Sequence, residues 1–209
     1  MGLSDRFLAA VYDRATAAVE RKWLGECRRE LLGGVTGRVL EIGAGTGANF
    51  QYYPPQARVT AIEPSVHFFK RALEKRSTAR AEIELRAANA HALPFAADTF
   101  DVVVATLVFC TIPDPPRALS EIRRVARDQA PLLLIEHVRA STPGARFVQN
   151  VWNPCQRALA GGCHVNRDTE AAIRAAGFRV DEVRNLNAEL IVLPHVLIRA
   201  INTKSVVTS

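Results

Sequence analysis

The sequence lacks a hydrophobic run long enough to cross a bilayer. Its longest, VVVATLVFC at 102–110 and PLLLI at 131–135, fall far short of the roughly 20 residues a span needs. It shows no secretory leader, and Arg6 stands where an N-myristoylation signal wants Ser or Thr. These absences predict a cytoplasmic protein with no transmembrane segment. Cysteine is scarce as well: Cys27, Cys110, Cys155 and Cys163 form no C-x-x-C pair and no regular framework. A disulfide scaffold is thereby excluded and a zinc site lacks its usual spacing, so free thiols and no metal are expected. Blocks of one charge are missing too. The formal net charge is +6, yet Lys and Arg are interleaved with acids, as in EIRRVARD at 121–128, the pattern of a solvated helix face. No specific nucleic-acid partner follows from it. Linkers, internal repeats and low-complexity tracts are also absent, so 209 residues, 48% of them hydrophobic, fit a single domain over 1–209 with a substantial core.

What the chain does have is VLEIGAGTGANF at 39–50. It reads as a buried strand, Arg38 to Ile42, a glycine-rich turn, and a helix beginning near Thr46. Gly43, Gly45 and Gly47 fall where a backbone must turn sharply and let a ligand approach, and a following helix would offer free N–H groups. Gly43, Gly45 and Ala48 also satisfy the dinucleotide fingerprint, so spacing alone leaves that ligand open. Glu41 discriminates. A carboxylate beside the loop repels a pyrophosphate but pairs with the α-ammonium of S-adenosylmethionine. Glu63 ends the next strand, RVTAIE, where it can accept both ribose hydroxyls.

Taken in order, residues 4–32 have helical periodicity, with Phe7, Leu8, Val11, Tyr12, Ala15 and Val19 on one face. Packing on its own domain is expected for this helix, within an N-terminal helical cap at 1–34. Covering the mouth of a site, or lying on a membrane surface, are the alternatives. The core, 35–209, continues with strands at 57–62, 81–86, from Asp101, and at 131–138. Helices run from an N-cap at Ser65 to about Ser77, and from the prolines at 113–116 to Arg127. An inserted helix at 144–160, bearing Phe147, Val151 and Trp152, makes a lid-like insert over 144–164. A helix at 167–176 and two strands about a reversal near 185–188 end the chain. Alternating strands and helices followed by a hairpin predict a doubly wound α/β fold. Asn89 and the backbone of Ala90 can meet an adenine edge, with Leu93, Pro94 and Phe95 as an apolar wall. Thr106 and Leu107 end the fourth strand beside the ligand. Glu136 and His137 end the fifth, and His137, which titrates near neutrality, is the candidate proton acceptor, with His91, His164 and His195 weaker.

Together EIGAGTG at 41–47, Glu63, LPF at 93–95 and FDVVV at 100–104 resemble the class I S-adenosylmethionine-dependent methyltransferases. More narrowly, GTGANF at 45–50, YPP at 53–55, TLVFC at 106–110, EHV at 136–138, NPC at 153–155, GC at 162–163, Arg167 and PH at 194–195 resemble the alkyl-thiol S-methyltransferases of the animal methyltransferase-like group and their bacterial relatives. The resemblance implies a Rossmann-like sheet of seven strands in the order 3-2-1-4-5-7-6, the seventh antiparallel. It implies S-adenosylmethionine as cofactor and S-adenosylhomocysteine as product. Glu41, Gly43, Gly45, Gly47, Glu63, Pro64, Asn89, Ala90, Thr106 and Leu107 would hold the cofactor, and the methyl group would pass to the sulfur of a small apolar thiol. An oxygen, nitrogen or carbon acceptor such as a phenol, a quinone or a phospholipid head group is the alternative, and a non-catalytic cofactor-binding module is the non-enzymic one. Two departures stand out. The hydrophobic N-terminal anchor of the animal proteins is absent here, which leaves at most peripheral membrane contact, and Ala44 stands where the family loop commonly has cysteine.

Overall fold

A computed structural model describes residues 3–187 and 192–204, with side chains from residue 9 onward except those of Ala15 and Leu159. The expected apolar face at Phe7, Leu8 and Ala15 therefore lies outside the described side chains. The chain begins with α1 (Leu3–Val19) and α2 (Gly25–Leu32), joined without a break by a π-helical turn at Glu20–Leu24. Such wide turns recur at functional positions.

The sheet contains β1 (Gly37–Ile42), β2 (Ala57–Ile62), β3 (Glu82–Arg86), β4 (Val102–Thr106), β5 (Pro131–His137), β6 (Phe178–Asn185) and β7 (His195–Asn202). Its order is β3-β2-β1-β4-β5-β7-β6, as the resemblance implied. The first five strands are parallel and β7 runs antiparallel to both β5 and β6. The β-branched run of β4 suits a strand covered on both faces, and Val102 to Ala105 are all buried. Alternation sorts the core into two layers. Leu40, Ile42, Val103, Leu132 and Leu134 face α4 (Pro115–Val125) and α6 (Thr169–Ala175), while Val39, Val104, Leu133 and Ile135 face α2 and α3 (Val66–Arg76). The order reverses between β1 and β4. Ligands of open α/β sheets sit outside the carboxyl ends of the strands at such a point.

Four expectations need correction. No regular helix begins at Thr46: residues 45–49 are turns, followed by a short 3-10 turn at Phe50–Tyr52. Gly47 has φ 81°, which a right-handed helix cannot include, and Pro54 and Pro55 stop the segment soon after. Ser65 does occupy the N-cap of α3, but its hydroxyl makes no capping bond and is buried without a partner. Asp101 precedes β4 and latches it to β1, accepting from the Arg38 N–H and donating its own to the Arg38 carbonyl, both at 2.8 Å. The terminal reversal is longer than 185–188, because β7 begins only at His195; Ala188 lies outside the described residues. Among the described residues no helix is long and apolar enough to cross a membrane.

Candidate active site

A cavity of about 260 Å³ opens at the switch point. The loop after β1 supplies Gly43 to Thr46, Ala48 and Asn49. Glu63 and Ser65 come from the loop after β2, Phe68 from α3, Thr106 from the last position of β4, and Leu107, Val108 and Thr111 from the segment after it. Tyr12 and Arg28 reach in from α1 and α2, and Ala160 and Gly161 from the end of α5 (Pro143–Leu159). The first two loops meet closely: a β-carbon on Gly43 would stand 2.3 Å from Val108 Cγ2. On Gly47 it would strike the Phe50 ring at 2.8 Å, so that glycine serves packing and does not line the cavity. Gly45 differs, because a β-carbon there meets nothing within 4 Å. Leu107 holds φ 56°, a left-handed conformation that costs a non-glycine residue on the order of 1 kcal/mol or more and gathers at functional sites.

Polar groups order the cavity from one side. Arg28 is 3% exposed, and its guanidinium donates to Asn49 Oδ1 at 2.6 Å, Thr106 Oγ1 at 2.7 Å and Glu20 Oε1 at 3.0 Å. Asn49 in turn donates to Glu41 Oε1 at 2.9 Å and to Thr106 Oγ1 at 3.0 Å. Sequence reading left Arg28 and Asn49 unassigned. Their signals were present: Leu24, Arg28, Leu31 and Leu32 put a guanidinium on an apolar helical stripe, and Asn49 lies in GTGANF. Farther out, Asp13 of α1 bonds Thr46 Oγ1 at 2.6 Å and Lys75 Nζ at 2.7 Å, tying the first helix to the glycine loop and α3.

Glu41 was expected to point over the crevice. Instead it stands behind the wall, 1% exposed and outside the cavity lining, with Oε2 buried and unpartnered opposite the equally unpartnered Tyr53 hydroxyl. Burial pushes its carboxyl up to about 7 against the opposing pull of Asn49, Tyr53 and Arg28. Glu63 does line the cavity. Its Oε2 accepts from the Gly45 N–H at 2.9 Å and its Oε1 from the Ser65 N–H at 2.8 Å, while burial raises its pKa. Pro64, Asn89 and Ala90 lie outside the lining: Asn89 accepts from the His91 N–H at 3.0 Å, and Ala90 is packed in the core.

His137 also lies outside the cavity lining. Its Nδ1 is 3.9 Å from Cys163 Sγ and its ring is tilted against His195, centroids 4.0 Å apart. Burial and the His137 charge hold His195 down to about 3. Cys110 completes the group. The ligating atoms of Cys110, His137 and Cys163 lie within 4.8 Å of one another, a convergence that the sequence spacing concealed. The hydrogen bond between Cys110 and Cys163, together with burial, pushes the Cys110 thiol up, while the same bond and the neighbouring His137 bring Cys163 down to about 5 against its burial. Glu136 is wholly buried and accepts from Val108, Phe109 and Cys110 N–H, at 2.8, 2.8 and 3.3 Å; burial raises it to about 7 against those donors. On α5, Phe147, Val151 and Trp152 of the expected lid are exposed, and among the described residues of this segment those that reach the cavity, Ala160 and Gly161, lie just past the helix.

The methyltransferase-domain family matches residues 40–134. The human thiol S-methyltransferase TMT1A is 32% identical over 195 residues, covering 89% of this chain and 79% of that protein. Human TMT1B is 37% identical over 153 residues, 70% of this chain and 63% of that one. A crystal structure of an S-adenosylmethionine-dependent methyltransferase from Aquifex aeolicus shares the fold, with a TM-score of 0.62, 19% identity, and coverage of 86% of this chain and 88% of the other. Because a relative more than 30% identical spans most of both proteins, the chain belongs to the S-adenosylmethionine-dependent methyltransferases and takes S-adenosylmethionine as its cofactor.

Proposed function

We propose that the chain transfers the cofactor's methyl group to the sulfur of a small apolar thiol. One observation carries the reading: the likeness to TMT1A covers 89% of the chain, so it extends beyond the cofactor half at 40–134 into the elements that follow β5. The cavity suits the cofactor. Gly45 faces open space, Ser65 Oγ is a buried hydroxyl with no partner, and a guanidinium and a carboxylate stand on its wall. Arg28 would hold the methionine carboxylate, and Asn49, backed by Glu41, the ammonium. Glu63 retains lone pairs for ribose hydroxyls beyond the two N–H groups that orient it. Gly43, Gly45 and Leu107 shape the wall.

When bound, the cofactor supplies an electrophilic methyl on a sulfonium. The chain's own contribution is alignment, which can correspond to effective molarities of ~10⁵ M or more. The acceptor sulfur attacks as its thiolate, and only about a few per cent of an ordinary thiol is ionised at neutral pH. The apolar stretch of Leu107, Val108 and Ala160 receives the acceptor's carbon chain. His137 is the sequence candidate for taking the proton, yet it sits behind that wall beside Cys163 and outside the cavity lining. The test is S-adenosylhomocysteine formation with matched alkyl thiol, phenol and primary amine acceptors. Thiol-dependent product is expected; turnover of the phenol or amine with none from the thiol refutes the acceptor assignment.

A further inference from the structure

Three ligand atoms from three separate segments converge beside the acceptor end of the cavity, and the reaction proposed above needs a thiolate there. We propose that Cys110 Sγ, Cys163 Sγ and His137 Nδ1 bind a divalent metal ion of the zinc class, with a fourth position open to the sulfur of the acceptor. Assignment of that fourth ligand rests on the thiol reading; the ion site itself does not.

The geometry fits. Zinc–sulfur and zinc–nitrogen bonds of about 2.3 and 2.0 Å in a tetrahedron put neighbouring ligand atoms roughly 3.5–3.8 Å apart. The Cys163–His137 separation is 3.9 Å, and all three atoms lie within 4.8 Å, so closure asks for no more than about 1.3 Å. Cys110 and Cys163 are 1% and 5% exposed, so the protein covers the ion on the cysteine side and the fourth position, toward the cavity, is where water or the acceptor would meet it. Two thiolates and one imidazole select a soft or borderline ion over magnesium or calcium. A divalent cation between two thiolates is neutral overall, whereas two bare thiolates at this depth are not tolerable.

The supporting shell is already built. Glu136 takes the Val108, Phe109 and Cys110 N–H groups and so fixes the loop that carries Cys110. Arg167 donates to the Phe109 carbonyl and, at 2.6 Å, to that of Ile112. The two cysteine loops are joined by a 2.8 Å bond from the His164 N–H to the Cys110 carbonyl. His195, held by Asn187 at 2.7 Å, backs the His137 ring. Fixed outer partners of this kind orient metal ligands. The site shares its wall with the cavity: Cys110 Sγ lies 3.6 Å from the Leu107 carbonyl, and the Cys163 N–H donates to that of Ala160 at 3.1 Å.

Metal uptake releases the two cysteine protons to solvent. A thiol entering the fourth position loses its own proton to solvent as its sulfur binds the ion. The sulfur pair then forms the new S–CH₃ bond while the sulfonium C–S bond breaks toward the departing sulfur. The neutral thioether is a poor ligand and leaves.

The experiment uses the full chain, reduced and stripped by a chelator, then titrated with Zn²⁺ and, separately, Co²⁺. Cofactor binding serves as the check on folding. Expected are one zinc per chain by elemental analysis and a thiolate-to-cobalt charge-transfer band. Both are lost in Cys110→Ser and Cys163→Ser, weakened more than about tenfold in His137→Gln, and kept in Cys155→Ser, an exposed cysteine on α5. A reduced chain that binds cofactor but takes up no metal overturns the site. So does a band that survives the double serine variant, or a Cys110–Cys163 disulfide that leaves no metal affinity after reduction. Adding a short alkyl thiol should shift the cobalt band. A spectrum unmoved by thiol, with equal thiol methylation by metal-free protein, refutes the fourth-ligand role. Metal bound as expected without any thiol product refutes the acceptor reading and leaves the ion site standing.

Discussion

Replacing Glu41 by Gln should stabilise the cofactor-free fold at neutral pH while weakening the cofactor. The carboxyl rises from an ordinary 4.5 to about 7 because it is buried, so the folded chain holds its proton where the unfolded chain has released it. Between those values the folded state binds more protons, and stability falls as pH rises. The contribution is present in full below about pH 4.5 and gone above about pH 7. At about 1.4 kcal/mol per pH unit, the interval is worth about 3 kcal/mol. Gln keeps the acceptor for Asn49 Nδ2 and turns an amide toward the Tyr53 hydroxyl, where Oε2 now has no partner. Urea unfolding of both proteins without cofactor, from pH 4.5 to 8, reads the difference. The variant should match the wild type at the acid end and exceed it by about 3 kcal/mol at the alkaline end. Glu136 titrates in the same direction but is common to both proteins and cancels. Parallel profiles across the range would refute the reasoning, because they would mean that Glu41 ionises in the folded state as it does in water. Calorimetric titration at pH 8 should show weaker cofactor binding by the variant, since a neutral amide gives the Asn49 relay no charge to set against an ammonium.

Further changes separate roles that look alike. Gly43→Ala should cost more than about 2 kcal/mol of stability, because its β-carbon would overlap Val108 at positive φ; Gly45→Ala should cost about 1 kcal/mol in thermal unfolding yet weaken cofactor binding at least about tenfold. Arg28→Met should destabilise by about 3 kcal/mol or more, since it strips a buried cation from Glu20, Asn49 and Thr106, and cofactor titration should show the larger loss. Glu136→Gln, unlike Glu41→Gln, should destabilise by about 1–3 kcal/mol at the acid end in denaturant unfolding, with the deficit shrinking toward pH 8 because the wild type's own raised carboxyl loses stability there. Its new amide donors would face backbone N–H groups that now find carboxylate oxygens.

Much of the fold was readable because its strands are short runs of apolar and β-branched residues punctuated by glycine and proline. Each strand overlaps its expected position, and the errors fall at ends. The helix expected at Thr46 failed for a local reason: a left-handed Gly47 on one side and Pro54 on the other leave too little chain for regular turns. The glycine loop, Glu63, Thr106 and Leu107 were readable as cavity residues because their placement depends on strand ends, which periodicity locates. Arg28 was harder. A basic residue on an apolar stripe signals burial, but only the packing of α2 over β1 decides that it turns inward to Asn49 and Thr106.

The acceptor side was least legible, and the cause is topological. Cys110, His137 and Cys163 come from the loop after β4, the end of β5 and the loop after α5, so nothing in their linear spacing resembles a ligand set. Parallel strands bring distant carboxyl ends together by construction, and the pairing of Thr106 with Ile135 sets the segments carrying Cys110 and His137 side by side. Cys163 then arrives because the chain beyond α5 turns back across the Cys110 loop at His164. A spacing rule derived from ligands on one hairpin has no purchase on such a site. Two features do foreshadow it: a buried acid, Glu136, directly before the histidine, and cysteines that close the TLVFC and GGC segments beside the cavity. Their meaning depends on the same fact about doubly wound sheets that located the cofactor, namely that chemistry gathers where successive strands end.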